Sequence, residues 1–232
     1  MKAFSIAAAA LLTVHAVAEA ADDKFDYKPP GALETGGKGF TSTQVFYPTM
    51  RFPLESKPAY LNSQVYRPGG GKWMGKGGQT DRMNYSYPWY DNYCETRGRK
   101  MPLCPTGHGH QGQDIRAKDA TPGVHMAVAV EDGIIAHIGT YSVTLQTKQG
   151  TLFRYLHLRM GPSILKVERG DRVKQGAPIG MVSNDFGGTP TTVHLHFDVK
   201  DTIRLPDGKV VTGFIPPYTS LVASYQRLLR SK

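Results

Sequence analysis

The fold of this chain is decided by the stretch Val193-His194-Leu195-His196-Phe197-Asp198, in which apolar residues alternate with histidine and aspartate. Alternation with a period of two is typical of a half-buried β-strand, on which residues two positions apart point to the same face. We therefore expect the imidazoles of His194 and His196 to lie side by side. Imidazole is the commonest metal-binding side chain, although two histidines on one strand also fit an ordinary polar face.

Two upstream segments add the groups that a metal site needs. His110 and Asp114 belong to the segment HQGQD, whose glycine favours a loop or a strand edge over a helix. Imidazole and carboxylate together make the ligand set that zinc accepts at catalytic sites with one position open for water. Residues 155–158 (YLHL) place a further histidine, His157, at the end of a predicted strand.

These segments resemble the lysostaphin-type (LytM-like, β-lytic) zinc metallopeptidases, which cut peptide bonds in bacterial cell walls. The resemblance spans about residues 105–200 and is carried by His110-x-Gly112-x-Asp114-Ile115, Tyr155-x-His157-Leu158 and His194-Leu195-His196-Phe197-Asp198. It implies a mainly β fold, an antiparallel β-sandwich or distorted barrel known as the duplicated hybrid motif.

The resemblance also implies roles for individual residues. One zinc ion would be held by His110, Asp114 and His196, while His157 and His194 would serve as general base and oxyanion stabiliser. Which of these two histidines is the base stays open. The family commonly has glutamate where this chain has Asp198, and we do not expect Asp198 to touch a ligand.

The remaining histidines have weaker claims to the metal. His108 is an alternative ligand, but only His110 has the family's spacing to Asp114. His125 and His137 lie in predicted strands and are expected to be structural.

The N-terminus predicts export. An apolar run from Ala3 to Ala18 follows Met1-Lys2, and Ala18-Glu19-Ala20 has the A-x-A pattern of a cleavage site. Residues 1–20 are therefore predicted to be a signal peptide cut near Ala20, too short for a transmembrane anchor and without a cysteine for a lipid anchor. We expect a periplasmic or secreted protein, with residues 21–45 as a polar, flexible leader.

The two cysteines, Cys94 and Cys104, are predicted to form a disulfide, because an even number of cysteines in an oxidising compartment favours pairing. Zinc ligation by both is the weaker alternative, since their spacing fits no C-x-x-C pattern. The bridge ends shortly before His110, so we expect it to brace the metal site.

The formal net charge of +9 indicates a polyanionic partner. Export argues against nucleic acid and favours two other polyanions, the carboxylate-rich peptides of peptidoglycan and acidic lipid head groups. Solubility alone is the competing explanation for any single Lys or Arg.

Composition and pattern divide the rest of the chain. The 26 glycines and 16 prolines favour a turn-rich β chain, and short apolar runs from residue 124 to 158 predict antiparallel strands. We place the metallopeptidase domain at 46–200, with a long Gly-rich and aromatic loop at 66–104. Helical spacing after Pro216-Pro217 predicts a short amphipathic helix in a C-terminal extension, 201–232.

Three functions follow as hypotheses. The first is an exported zinc metalloendopeptidase that hydrolyses a cross-link or stem peptide of peptidoglycan. The second is a catalytically inactive relative that binds and activates another cell-wall hydrolase. The third is a secreted lytic protease acting on glycine-rich proteins. A regulatory protein partner is conceivable in each case, and the sequence does not identify one.

Overall fold

The computed structural model describes residues 24–72, 77–161 and 164–231, so the predicted signal peptide lies outside the described residues. The described residues form ten β-strands, a 3-10 helix at Arg82–Tyr85 and one α-helix, α1, at Tyr218–Arg230. The strands are β1 (Tyr60–Leu61), β2 (Gln113–Arg116), β3 (Met126–Val128), β4 (Gly133–Ile138), β5 (Ser142–Gln146), β6 (Leu152–Leu156), β7 (Arg172–Val173), β8 (Pro178–Met181), β9 (Leu195–Arg204) and β10 (Val210–Ile215).

All strand pairs are antiparallel. Eight strands form one open sheet in the order β1-β2-β9-β6-β5-β4-β7, with β10 paired to β9 outside this path, and β3 and β8 form a small second sheet. The predicted mainly β, antiparallel fold with long irregular N-terminal loops and a short C-terminal helix is confirmed.

The alternating sequence of β9 separates its two faces as predicted. Leu195, Phe197 and Val199 are fully buried in the core, where the Phe197 ring stacks on Phe153 with centroids 6.0 Å apart. His196 and Asp198 therefore point to the other face of the sheet. Burial of three large apolar side chains on one face fixes the register, because a slip of one residue would reverse every side chain.

The register of β9 brings the predicted segments together. On one side His196 lies directly opposite Asp114 of β2, and on the other it lies opposite Leu156 of β6. His157 follows β6 immediately, and His110 precedes β2 by three positions. Three segments distant in sequence thus meet at one place in the sheet.

A tight turn joins β5 to β6. The Thr147 amide donates to the carbonyl of Thr151 at 3.0 Å, and Gly150 has a φ of +96°. Glycine adopts this left-handed conformation without the steric cost that a Cβ would bring.

Helix α1 docks on the domain through aromatic side chains. The Tyr225 ring lies 4.5 Å from that of Trp89 between centroids, and its hydroxyl accepts a hydrogen bond of 2.9 Å from the Ala59 amide. The exposed side of the helix carries basic residues in its last turn, Arg227 and Arg230.

The segment before the domain is packed rather than loose. The Phe25 ring lies 4.7 Å from Trp89 and 4.9 Å from Tyr225 between centroids, and the Gly31 amide donates to Asp91 Oδ2 at 2.8 Å. For the described residues 24–45, these contacts differ from the flexible leader that the polar composition of residues 21–45 predicts, because Phe25 and Phe40 anchor this segment to the hydrophobic clusters of the domain.

The sheet also continues past residue 200, where the sequence places the end of the domain. Strand β9 extends to Arg204 and pairs along its second half with β10. Within the described ranges, no helix has both the length and the apolar character needed to cross a membrane.

Candidate metal centre

The three predicted zinc ligands lie together between β2 and β9. Nε2 of His110 lies 3.0 Å from Nδ1 of His196 and 3.3 Å from Oδ1 of Asp114, and the same oxygen lies 2.8 Å from Nδ1 of His196. All three side chains are buried. Zinc bonds of about 2.0–2.2 Å in a tetrahedron separate ligand atoms by roughly 3.3–3.5 Å. The three donor atoms are therefore spaced to hold one small cation with little movement.

Hydrogen bonds direct the required nitrogen of each histidine toward the other proposed ligands. Nδ1 of His110 lies 2.9 Å from the Asn92 carbonyl oxygen, which accepts only, so Nδ1 carries the hydrogen and Nε2 keeps its lone pair. Nε2 of His196 donates to Oδ2 of Asp198 at 3.2 Å, which directs Nδ1 toward Asp114 and His110. Metal-ligating histidines typically donate their second N–H to a carbonyl or carboxylate in this way. The donor set fits a zinc ion.

Asn92 contacts two of the proposed ligands. Its carbonyl accepts from His110, and its side-chain Oδ1 accepts a hydrogen bond of 2.9 Å from the Asp114 amide. One residue of an irregular loop thus holds the ring of one ligand and the backbone of another. Sequence reasoning missed Asn92, because nothing in its local pattern points to a partner 22 positions away.

Asp198 corrects an expectation. We did not expect it to touch a ligand, yet Oδ2 of Asp198 accepts from His196 and also from Nη2 of Arg154 at 2.8 Å. Asp198 and His196 are two positions apart on β9 and share a face, so the alternation of the strand brings their side chains together. The contact was predictable from the H-x-D spacing of His196 and Asp198. The comparison with the family pattern did not indicate it.

The electrostatics of the ligands favour a positive charge. Burial works against the charged form of His196, but hydrogen bonds with Asp114 and Asp198 outweigh it and raise its pKa to about 9. Burial also opposes ionisation of Asp114, yet His110 and His194 hold its pKa well below the usual value. A metal ion must therefore displace a proton from His196 in order to bind.

His157 and His194 border the metal centre with a common geometry. Nδ1 of His157 lies 2.8 Å from the Asp185 carbonyl oxygen, and Nδ1 of His194 lies 2.8 Å from that of Thr192. Both rings therefore carry hydrogen on Nδ1 and present an unprotonated Nε2. Nε2 of His194 lies 3.5 Å from Oδ1 of Asp114. The ring centroids of His157 and His194 are 4.6 Å apart.

Both histidines are kept neutral. Burial lowers the pKa of His157 to about 3, with a further contribution from the neighbouring His194 and His196. Burial likewise lowers the pKa of His194. At neutral pH both imidazoles are therefore uncharged and keep the lone pair on Nε2.

The backbone of His157 is strained. Its φ of +65° lies in the left-handed region, which costs roughly 1–2 kcal/mol for a residue with a Cβ. Contacts on both sides maintain it: the carbonyl accepts from the Ser183 amide at 2.7 Å, and the ring stacks on Tyr141 with centroids 5.7 Å apart. Strain held by surrounding contacts is frequent at functional sites.

A cleft of about 650 Å³ opens over the five histidine and aspartate side chains. On the β6 side it is lined by Tyr141, Phe186 and His137. On the β2 side it is lined by Arg97 and Arg99, which belong to the loop between the cysteines. His137, expected to be structural, is a lining residue of this cleft, whereas His125 is paired with Asp119 at 3.0 Å.

The predicted disulfide between Cys94 and Cys104 is confirmed. The Cys94 amide donates to the carbonyl of His110 at 3.0 Å, and the His110 amide donates to that of Glu95 at 2.9 Å. The bridged loop is thus hydrogen-bonded directly to the backbone of a predicted ligand. His108 is exposed and does not belong to the cluster formed by His110, Asp114 and His196.

Solved structures give fold-level likenesses at low identity. A putative glycyl-glycine endopeptidase LytM from Ruminococcus gnavus is 20% identical, with 78% of this chain and 62% of that chain matched and a TM-score of 0.44. A zinc-containing peptidase from Vibrio cholerae is 27% identical, with shares of 50% and 33% and a TM-score of 0.33. The catalytic domain of lysostaphin from Staphylococcus simulans is 24% identical, with shares of 53% and 85% and a TM-score of 0.37. The chain spans less than two thirds of the length of the first two.

No curated protein sequence matches the chain significantly. Residues 108–210 match the model of Peptidase family M23, and this range contains every predicted metal-binding and catalytic residue. This match confirms the resemblance found in the sequence: residues 108–210 are similar to peptidase family M23.

Proposed function

We propose that this protein is a zinc metalloendopeptidase that hydrolyses peptide bonds of peptidoglycan. The observation that carries the proposal is the triad of donor atoms of His110, Asp114 and His196, spaced 2.8–3.3 Å from one another beneath an open cleft. Similarity to the peptidase family supports the reaction type.

The chemistry follows from the side chains around the triad. A zinc ion held by His110, Asp114 and His196 would polarise the scissile carbonyl and lower the pKa of a water molecule. His157 and His194 present unprotonated Nε2 atoms, so either can accept the proton of the attacking water. The resulting imidazolium is a donor to the developing oxyanion and to the departing amine.

The complete donor set argues against a purely binding relative, since such a protein has no need of the ligands or of two neutral histidines beside them. Burial of these groups in a site with one open side supports catalysis, because it holds the imidazoles neutral at physiological pH.

Digestion of purified cell walls tests the proposal. The zinc-loaded protein is expected to release new amino termini, and sequencing of the fragments identifies the bond, for which a D-Ala–diaminopimelate cross-link is our candidate. A chelator abolishes the release and added zinc restores it. Intact peptide bonds after incubation with protein of verified zinc content contradict the proposal. Glycine-rich proteins in a parallel incubation test the secreted lytic alternative.

We further propose export to the periplasm or beyond, supported by the A-x-A pattern at Ala18-Glu19-Ala20 and by the disulfide. Amino-terminal sequencing of protein recovered from expressing cells is expected to begin at Ala21. Recovered protein that still begins at Met1 would contradict the proposed export and cleavage.

A further inference from the structure

We propose that Arg99, which together with Arg97 forms what is here called the arginine wall, binds a free carboxylate of the substrate peptide. The inference rests on the proposed peptidase function and adds its substrate class: peptides with an ionised carboxylate next to the cleaved bond. The wall lines the same cleft as His110 and Asp114.

The wall has a fixed position relative to the metal centre. The Gly109 amide donates to the carbonyl of Arg99 at 2.9 Å, and His110 is the next residue. The loop that carries both arginines is closed by the disulfide between Cys94 and Cys104. Arg99 is thus tied through its backbone to the residue before a proposed ligand, and its side chain lines the same cleft as that ligand.

The charges of the cleft leave one arginine without a counterion. Nη2 of Arg97 binds Oε2 of Glu95 at 2.9 Å, and the third arginine of the lining, Arg154, is paired with Asp198. Arg99 is exposed, and its guanidinium has no hydrogen bond or ion pair within the described residues. The one lining carboxylate, that of Asp114, is occupied by histidines.

The chemistry of guanidinium selects the ligand. Arginine offers a planar set of donors that matches a carboxylate with two parallel hydrogen bonds. The opposite side of the cleft carries the aromatic residues Tyr141 and Phe186, and the arginine of β6, Arg154, is neutralised by Asp198. The unpaired positive charge therefore lies on the β2 side. An anionic peptide is therefore bound in one direction, with its carboxylate toward Arg99.

Binding of a peptide without a cleavable bond tests the subsite separately from catalysis. Three fluorescent versions of one short peptide are compared by anisotropy: one with free side-chain and C-terminal carboxylates, one with the side chain amidated, and one with the C-terminus amidated. One of the two amidations is expected to weaken binding about tenfold, and it identifies the carboxylate that is bound. Equal affinity for all three peptides overturns the proposal.

The variant Arg99→Gln is expected to weaken binding of the peptide with free carboxylates about tenfold. Its affinity for the amidated peptide that already binds the parent protein more weakly should be unchanged. Arg99→Lys keeps the charge without the paired donors, and its peptide affinity is expected to lie between those of the parent protein and Arg99→Gln. Arg172→Gln is the matched control, because it removes an exposed arginine from β7 at the far end of the sheet. Equal losses in Arg99→Gln and Arg172→Gln would show that only net charge matters and would overturn the proposal.

A second readout connects the subsite to the reaction. In the zinc-loaded protein, Arg99→Gln is expected to raise KM for carboxylate-bearing substrate with little change in kcat. If the peptides bind as expected but no substrate is cleaved, the proposed function fails and the subsite stands. If cleavage occurs with equal KM for free and amidated substrates, the subsite fails and the function stands.

Discussion

The carboxylate of Asp198 orients the imidazole of His196: Oδ2 lies 3.2 Å from Nε2 and leaves Nδ1 directed at Asp114 and His110. Arg154 in turn donates to the same oxygen at 2.8 Å. The chain Arg154–Asp198–His196 therefore fixes both the tautomer and the direction of a proposed zinc ligand.

Asp198→Asn is expected to weaken zinc binding by about 10- to 100-fold, the usual effect of losing a carboxylate that supports a metal-bound histidine. Competition with a chromophoric chelator measures the affinity. Asp207→Asn, in the exposed turn after β9, is the control and is expected to bind zinc as the parent protein does. Unchanged affinity in Asp198→Asn would mean that the hydrogen bond has no role in holding the ligand.

Substitution is expected to distinguish the proposed zinc ligand His196 from the proposed catalytic residue His157. His196→Ala removes a donor atom and is expected to lose both bound zinc and activity, whereas His157→Ala is expected to retain zinc and lose activity by at least about 100-fold. Metal analysis of the purified variants distinguishes them. His108→Ala serves as control and should retain zinc. Zinc lost from His157→Ala would show that the roles of the histidines are assigned wrongly.

Zinc binding is expected to weaken as the pH falls below 9. The pKa of His196 is raised to about 9, so at pH 7 its Nδ1 carries a proton that the ion must displace. Asp114, with its pKa held well below the usual value, stays ionised over this range. Apparent affinity should fall by up to about tenfold for each unit between pH 9 and 7, with release of about one proton at pH 7. Calorimetry in buffers of different ionisation enthalpy measures that proton, and no release would contradict the expectation.

The disulfide is expected to stabilise the fold through its short loop. The double variant Cys94→Ser/Cys104→Ser should lower the free energy of unfolding by about 2–3 kcal/mol, because the open chain gains conformational freedom when unfolded. Urea unfolding measures the difference, and reduction of the parent protein should reproduce it. Equal stability of the parent protein with and without reductant would contradict this expectation.

The docking of α1 depends on one aromatic side chain. Tyr225→Ala removes a buried ring that contacts Trp89, Phe25 and Phe52, and it should lower the free energy of unfolding by about 3–5 kcal/mol. Leu229→Ala, at an exposed position of the same helix, is expected to cost less than about 1 kcal/mol. Comparable losses in the two variants would show that the helix contributes through propensity rather than packing.

The sequence predicts the strands because they depend on periodicity, whereas the meeting of the three motifs is what the family resemblance implies. Alternation in β9 puts Phe197 inward and His196 outward, and the resemblance supplies the partner segments. The contacts of Asn92 and Phe25 were beyond prediction, since each is a single residue in an aperiodic segment whose partner is set by the path of the chain. Asp198 is an intermediate case. The face of β9 on which it lies was predictable, but its hydrogen bond to His196 depends on side-chain geometry.

The pairing of Asp114 with His196 across β2 and β9 has a consequence for protein engineering. Two of the three proposed ion-binding side chains, Asp114 and His196, are part of the rigid ladder, while walls of the cleft come from irregular segments at its rim. Grafting of rim segments from other peptidases should therefore change which polymers are cut and leave the reactive centre intact. Deletion of one residue within β9 would instead rotate His196 into the hydrophobic interior and destroy both fold and chemistry together.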